Sequence, residues 1–240
     1  MKVLAVDTSA EVAAVAVMEE SRLLGEYIIN QKKTHSQKLM PMIKEVLDSL
    51  ELKPGDIDLY AASSGPGSFT GLRIGVTTIK AMAYAANKPV VSVPTLDALA
   101  YNIPVPEVLI CPVMDARNRQ VYTALYSWEK GRLERLTEYM GIPVEELVGI
   151  IKQKNRRVMF NGDAALLYRN FFSSELNGNC EVAPVGMLLQ KASSVAQAAL
   201  IKASEGLTES CFDMVPFYLR KSQAEREYEK RTGSAEGSKV

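Results

Sequence analysis

Four groups of residues in this chain have types and spacings that could carry chemistry. Residues 63–73 read SSGPGSFTGLR, Asp7 and Asp115 each follow an apolar run, Asn161-Gly162-Asp163 forms a polar turn, and His35 stands alone. A glycine-rich turn between strand and helix can bring backbone amides up to a phosphate or a partner. This turn lacks the lysine that a phosphate loop sets before its Ser/Thr, so it offers the architecture without the usual ligand chemistry. Asp7, with Thr8 and Ser9, could orient a metal-bound phosphate. The reading preferred here is an Asx or Ser turn that closes a hairpin on its own amides. Asp115-Ala116-Arg117 repeats the pattern, with Arg117 placed to pair with Asp115 or to reach a cleft; a structural ion pair is preferred. Asp163 fits equally well as a helix N-cap or beside a nucleotide base. Asp7 and Asp115 are therefore weak candidates for cofactor binding.

His35 is the only histidine. Zinc and iron sites draw on several nitrogen, sulfur or carboxylate ligands, and one histidine with scattered cysteines does not supply them. Ser-His-Asp and Cys-His catalysis would leave His35 as sole base. No metal and no catalytic residue is expected. Cys111, Cys180 and Cys211 are odd in number and form no C-x-x-C, which predicts buried thiols in a reducing compartment.

The bulk composition narrows the partners. With 240 residues, 47% hydrophobic and 23% charged, the chain can bury ample core. Lys+Arg and Asp+Glu are each 28, so the basic surplus of a protein that grips nucleic acid unaided is missing. Contact with RNA is expected only through a complex. The start lacks a signal-peptide pattern, and no run reaches transmembrane length, which predicts a cytoplasmic protein with no membrane contact.

Elements that would position these residues follow from periodicity. Residues 3–6, 12–17 and 22–29 predict three strands, with a tight turn at 7–9. Residues 34–50 change to helical period, opening on a T-x-x-Q capping box at Thr34 and Gln37 and interrupted by Pro41. Residues 57–63 predict a strand, 70–86 a helix, 90–93 a strand, and 95–101 a helix with Thr95 as N-cap. Pro104 and Pro106 mark a boundary, after which the order restarts. Residues 109–114 end in Asp115, 121–128 answer the second strand, and 133–140 supply a third. Helices at 144–152, 164–172 and 187–204 and a strand at 158–161 complete the set. One supersecondary order used twice argues for duplication. The predicted fold is α/β and actin-like: two βββαβα subdomains, at 1–103 and 104–220, facing a cleft. The polar 221–240 tail is expected to be disordered, while 215–220 is apolar enough to dock on the body.

The 70–86 helix carries only two charges, Arg73 and Lys80. Leu72, Val76, Ile79, Ala83 and Ala86 make one apolar stripe; Gly71, Gly75, Thr78, Met82 and Ala85 make a second of mostly small residues. A helix apolar or small nearly all round is covered on both sides. The 34–50 helix likewise leaves a second apolar edge at Met40 and Leu47. With few other elements in this half to cover them, both helices are predicted to meet another protein, through Met40, Leu47, Phe69, Ile74 and Met82.

Taken in order, KVLAVDTS (2–9), THSQKLMP (34–41), GPGSFTGLRIG (65–75), TLDA (95–98), MDAR (114–117) and PFYLR (216–220) resemble the TsaB (YeaZ) family, the GPGSFTGLRIG block most specifically. The resemblance implies an actin-like fold and a degenerate paralogue of TsaD, which transfers threonylcarbamoyl to adenosine 37 in tRNA. It implies a non-catalytic scaffold that pairs with TsaD through the first two long helices, recruits the ATPase TsaE, and forms a homodimer when alone. ATP or ADP would bind only at the partner complex. TsaD-like subunits carry an H-x-x-x-H metal site; here His35 is followed by Leu39. The rival reading is an ATP-dependent phosphotransferase of the sugar-kinase type, using Asp7 and Asp115.

Overall fold

Two sheets of one design account for the repeated order. A computed structural model of the chain describes residues 1–31 and 35–220. Thr34 of the expected capping box and the 221–240 tail lie outside the described residues.

The first sheet has five strands in the order β3-β2-β1-β4-β5. β1 (Lys2–Asp7), β2 (Val12–Glu19) and β3 (Arg22–Asn30) form an antiparallel meander; β4 (Leu59–Gly65) and β5 (Val90–Pro94) join in parallel. Parallel neighbours need crossovers, supplied by α1 (His35–Ser49) and α2 (Phe69–Ala86). Buried Leu39, Ile43 and Val46 of α1 and Val76, Ile79 and Ala83 of α2 share one core with Leu4, Val6 and Val15 of the sheet. α1 continues through Pro41. α3 (Thr95–Tyr101) follows, its N-cap being Pro94 and not Thr95 as expected.

The second sheet repeats the order as β10-β7-β6-β11-β12. Its strands are β6 (Leu109–Asp115), β7 (Gln120–Thr123), β8 (Tyr126–Glu129), β9 (Arg132–Arg135), β10 (Met140–Pro143), β11 (Val158–Asn161) and β12 (Cys180–Val182). Its helices are α4 (Val144–Lys154), α5 (Asp163–Leu167), α6 (Arg169–Glu175), α7 (Val185–Leu188) and α8 (Ala192–Ser204). The fold is actin-like α/β, as the sequence predicted.

Four expectations need correction. Residues 121–128 are two strands, although Val113↔Thr123 and Ile110↔Tyr126 hold the same register on β6. The gap falls opposite Pro112, which has no N–H for the ladder. The third strand of this half is β10, not 133–140, because β9 pairs only with β8 in an inserted hairpin. The 187–204 helix is broken between α7 and α8, and 164–172 is broken at Tyr168.

The division at residue 103 separates the sheets but not the packing. α8, counted with the second half, lies on the far face of the first sheet, where Val195, Ala196 and Ala199 bury Val3, Ala5, Leu59 and Val91. Its alanines let the helix approach a face that would otherwise expose those side chains. No described helix is long and apolar enough to cross a membrane.

Candidate functional site

The glycine loop between β4 and α2 is pressed onto the β1–β2 turn. Ser68 donates its backbone N–H to the Ser9 carbonyl at 2.7 Å, and the Thr8 hydroxyl donates to the Gly71 carbonyl at 2.7 Å. A Cβ on Gly67 would stand 2.3 Å from the Ser9 carbonyl oxygen; on Gly71, 2.0 Å from that of Thr8; on Gly75, 2.4 Å from Thr8 Oγ1. Such distances exclude any side chain, so these glycines serve close backbone approach. Ser68 caps the helix it precedes, its hydroxyl accepting from the Gly71 N–H at 3.2 Å. Two amides that would face a phosphate are thus committed within the chain.

Beneath this loop Asp7 is fully buried. Its Oδ1 accepts from the Ser9 N–H at 2.8 Å and the Ser9 hydroxyl at 2.6 Å, and its Oδ2 accepts from the Ser63 hydroxyl. Burial raises the Asp7 carboxyl above its ordinary value, against the lowering effect of those three bonds. Asp7 closes its turn and, unlike Asp115, is not among the residues that line the cleft.

Asp115 repeats the turn in the second half and does reach the cleft. Its Oδ1 accepts from the Arg117 N–H at 2.8 Å, and its Oδ2 stands 3.3 Å from Arg117 Nη1. Asp163 Oδ1 accepts from the backbone N–H of Asp115 at 3.1 Å and of Ala164 at 3.0 Å. Asp163 therefore ties two loops together from the first helical position, while Gly162 takes the N-cap place. Burial raises its carboxyl, with Asp115 adding to the rise.

Between the halves lies a cleft of about 750 Å³, lined by Ser9, His35, Asp115, Arg117, Asp163 and Gln190 among others. His35 Nε2 is 2.8 Å from the Ala10 carbonyl, which pins α1 to the hairpin turn. The place of a second histidine is held by Leu39, 1% exposed within the core. The helix therefore does not fit an H-x-x-x-H metal site. No group of three or more potential metal ligands occurs among the described residues. Cys111 is buried beside Thr123, and burial pushes its thiol up to about 12, far from a reactive thiolate.

The five residues expected at a partner contact fare differently. Met40 is 50% exposed. Phe69 is half-buried, its ring stacked on Tyr218 at 4.0 Å, and Ile74 and Met82 pack partly against the core. Leu47 is 4% exposed and belongs to the core, so it is not available to a partner. Nor is α2 as bare of cover as the sequence predicts. The chain's own C-terminal segment crosses it: Met214 enters the first core, and Lys80 Nζ donates to the Phe212 and Met214 carbonyls at 3.3 and 2.7 Å. What stays open on α2 is Thr70, Arg73, Thr77, Ala81, Tyr84 and Ala85.

Two features escaped the sequence reading. Asp97 accepts from Tyr126 OH at 2.7 Å and Tyr139 OH at 2.9 Å, joining α3 to the second half. Burial raises its carboxyl. A lone acid in the apolar helix TLDALAY was its available signal. Gln190 is 2% exposed, and neither end of its amide has a partner among the described residues. No spacing in the sequence marks it.

A duplicated sheet, paired turns and an interposed cleft define an actin-like protein. A hexokinase of the ROK type from Thermus thermophilus shares this fold, with a TM-score of 0.51 at 14% identity, over 85% of this chain and all of that one. The family model for TsaD, described as tRNA N6-adenosine threonylcarbamoyltransferase, matches residues 22–228. The Bacillus subtilis protein named tRNA threonylcarbamoyladenosine biosynthesis protein TsaB is 32% identical over 95% of this chain and 98% of its own. A Pseudomonas aeruginosa structure, described as an uncharacterized protein with similarity to peptidase YeaZ, has a TM-score of 0.77 at 26% identity, over 91% of this chain and 99% of that one. The chain belongs to the TsaB (YeaZ) family.

Proposed function

We propose that this chain acts in the biosynthesis of threonylcarbamoyladenosine in tRNA as a non-catalytic subunit. It docks on a TsaD-like transferase, with a TsaE-like ATPase joining the assembly, and meets tRNA only within that complex. The homodimer is the state of the isolated chain. Any ATP or ADP belongs to the assembly, in the cytoplasm, and not to a site of this chain's own.

The observation that carries this reading is the solvent face of α2. Over Thr77, Ala81 and Ala85, between exposed Arg73 and Tyr84, it is small and uncharged, so a second helix could approach its backbone there. Met40 on the neighbouring α1 is half exposed as well. The committed loop amides and the buried Asp7 count against the phosphotransferase alternative, since the groups that would hold a phosphate are engaged within the chain.

The test is co-expression with the TsaD-like subunit, followed by sizing and a tRNA-modification assay. Ala81→Arg sets a long charged side chain on the exposed face without entering the core, and should weaken pairing at least about tenfold. The variant chain should keep the wild-type melting temperature. Unimpaired co-purification and modification would refute the helix assignment. Turnover of Mg-ATP by the isolated chain would favour the phosphotransferase.

A further inference from the structure

The segment PFYLR (216–220) is apolar enough to dock on the body, and the function proposed above does not use it. In the structure it leaves the first half and ends on the second. Upstream, Glu209 bridges to Val90 by two backbone bonds and accepts from the Ser92 N–H at 2.9 Å, which anchors the segment to β5. Phe217 then donates its N–H to the Ser64 carbonyl at 2.7 Å, at the start of the glycine loop. Gly65 has φ +127°, and a Cβ there would stand 2.1 Å from the Phe217 carbonyl oxygen. The loop is therefore shaped to receive this segment as well as the hairpin turn.

Side chains continue the crossing. Tyr218 stacks on Phe69, the first residue of α2, with planes 12° apart, and its hydroxyl accepts from Arg73 Nε at 3.2 Å. The Arg73 guanidinium lies 4.7 Å from the Phe69 ring centre, completing an Arg–Phe–Tyr stack. On the other side, the Phe217 ring meets Tyr139 at 5.6 Å, and Arg220 Nη2 donates to the Gly141 carbonyl of β10 at 3.4 Å. Phe217, Tyr218, Leu219 and Arg220 line the cleft that separates the halves.

From these contacts we propose that residues 216–220 form a strap that holds the cleft closed by tying the glycine loop and first turn of α2 to the second sheet. Its ring stack and its terminal bond rest on different halves, so separation of the halves must break one or the other. Among the described residues, the strap's polar and ring contacts with the second half are one ring contact and one long hydrogen bond. Release there, with the first-half stack intact, is the easier route to opening. On the reading proposed above, α2 is also the partner's helix, so partner binding and cleft closure would be linked through its first turn. The strap itself stands on the contacts of the chain alone.

The test uses the full chain without a partner. Spin labels at Glu11→Cys and Leu167→Cys flank the cleft, in a Cys180→Ser background. Arg220→Ala and Tyr218→Ala should each lengthen the label-to-label distance. Tyr218→Ala, which removes the first-half stack, should also speed hydrogen exchange of the Phe217 amide about three- to tenfold, the range of one aromatic pair. Tyr218→Phe keeps the stack and should retain the wild-type distance. Because the Arg220 side chain enters no core, that variant reports even if Tyr218→Ala fails to fold. An unchanged distance distribution in the folded alanine variants overturns the proposal, whatever the exchange rates do. Loss of partner binding has no bearing on this readout, so failure of the docking reading is seen separately.

Discussion

The two halves close their first hairpin turn with the same device and then diverge. In each, an aspartate ends the first strand and takes the N–H two residues on at 2.8 Å. In the first half Gly65, Gly67, Gly71 and Gly75 bring the β4–α2 loop, the helix and the strap into contact, and Asp7 is sealed beneath. In the second half Gly162 alone plays that part, 2.1 Å from the Val113 carbonyl by its would-be Cβ, and Asp115 stays at the cleft. Arg117, Asn118 and Arg119 hold positive φ there, in an open loop. An aspartate turn is a local motif. Whether it becomes buried structure or cleft lining depends on the backbone that packs over it.

That contrast can be broken most sharply at Gly71. Gly71→Ala forces a methyl group into the Thr8 carbonyl and should cost about 3 kcal/mol, the upper end of ordinary overpacking. Chemical denaturation would show it as a lower midpoint. Wild-type stability would mean that the close approach of loop and turn is not a requirement.

Asp7→Ala should cost about 2 kcal/mol, because two buried hydroxyls and one buried N–H lose their acceptor. The same residue has a pH signature. Its folded carboxyl is raised above 3.8, chiefly by burial, so between the unfolded and folded values the native state holds the extra proton. Stability from this group is present below the unfolded value and lost as pH rises through the folded one. Asp97 and Asp163 share the direction. The measurable quantity is therefore a difference: Asp7→Asn should flatten the fall in melting temperature above pH 4. An identical slope in both proteins would show that Asp7 does not titrate as placed.

The smallest effect belongs to Asp115→Ala. Its ion pair with Arg117 involves a guanidinium whose side chain is 86% exposed and contributes little. Loss of the turn bond should cost about 1 kcal/mol or less by thermal melting. A loss equal to that of Asp7→Ala would erase the distinction between a sealed and an open turn.

Much of this was legible in the residues. Apolar runs interrupted by Asp7-Thr8-Ser9 and Asp115-Ala116-Arg117 reported the hairpins, and their recurrence reported the duplication, because strand alternation and turn chemistry act over a few residues. The crossings of the chain between halves could not be read there. α8 belongs to the second half by order and to the first by packing, because an exposed sheet face is covered by whatever apolar helix the chain can bring to it. Leu47 looked free and is core; the glycine loop lacked a phosphate lysine in the sequence, but that it seats the hairpin turn and the strap was not visible there. Each of these outcomes depends on contacts across long stretches of sequence, such as Thr8 with Gly71 and Ser64 with Phe217. Periodicity can say that a face is apolar or that a backbone is bare, but only the tertiary structure decides what lies against it.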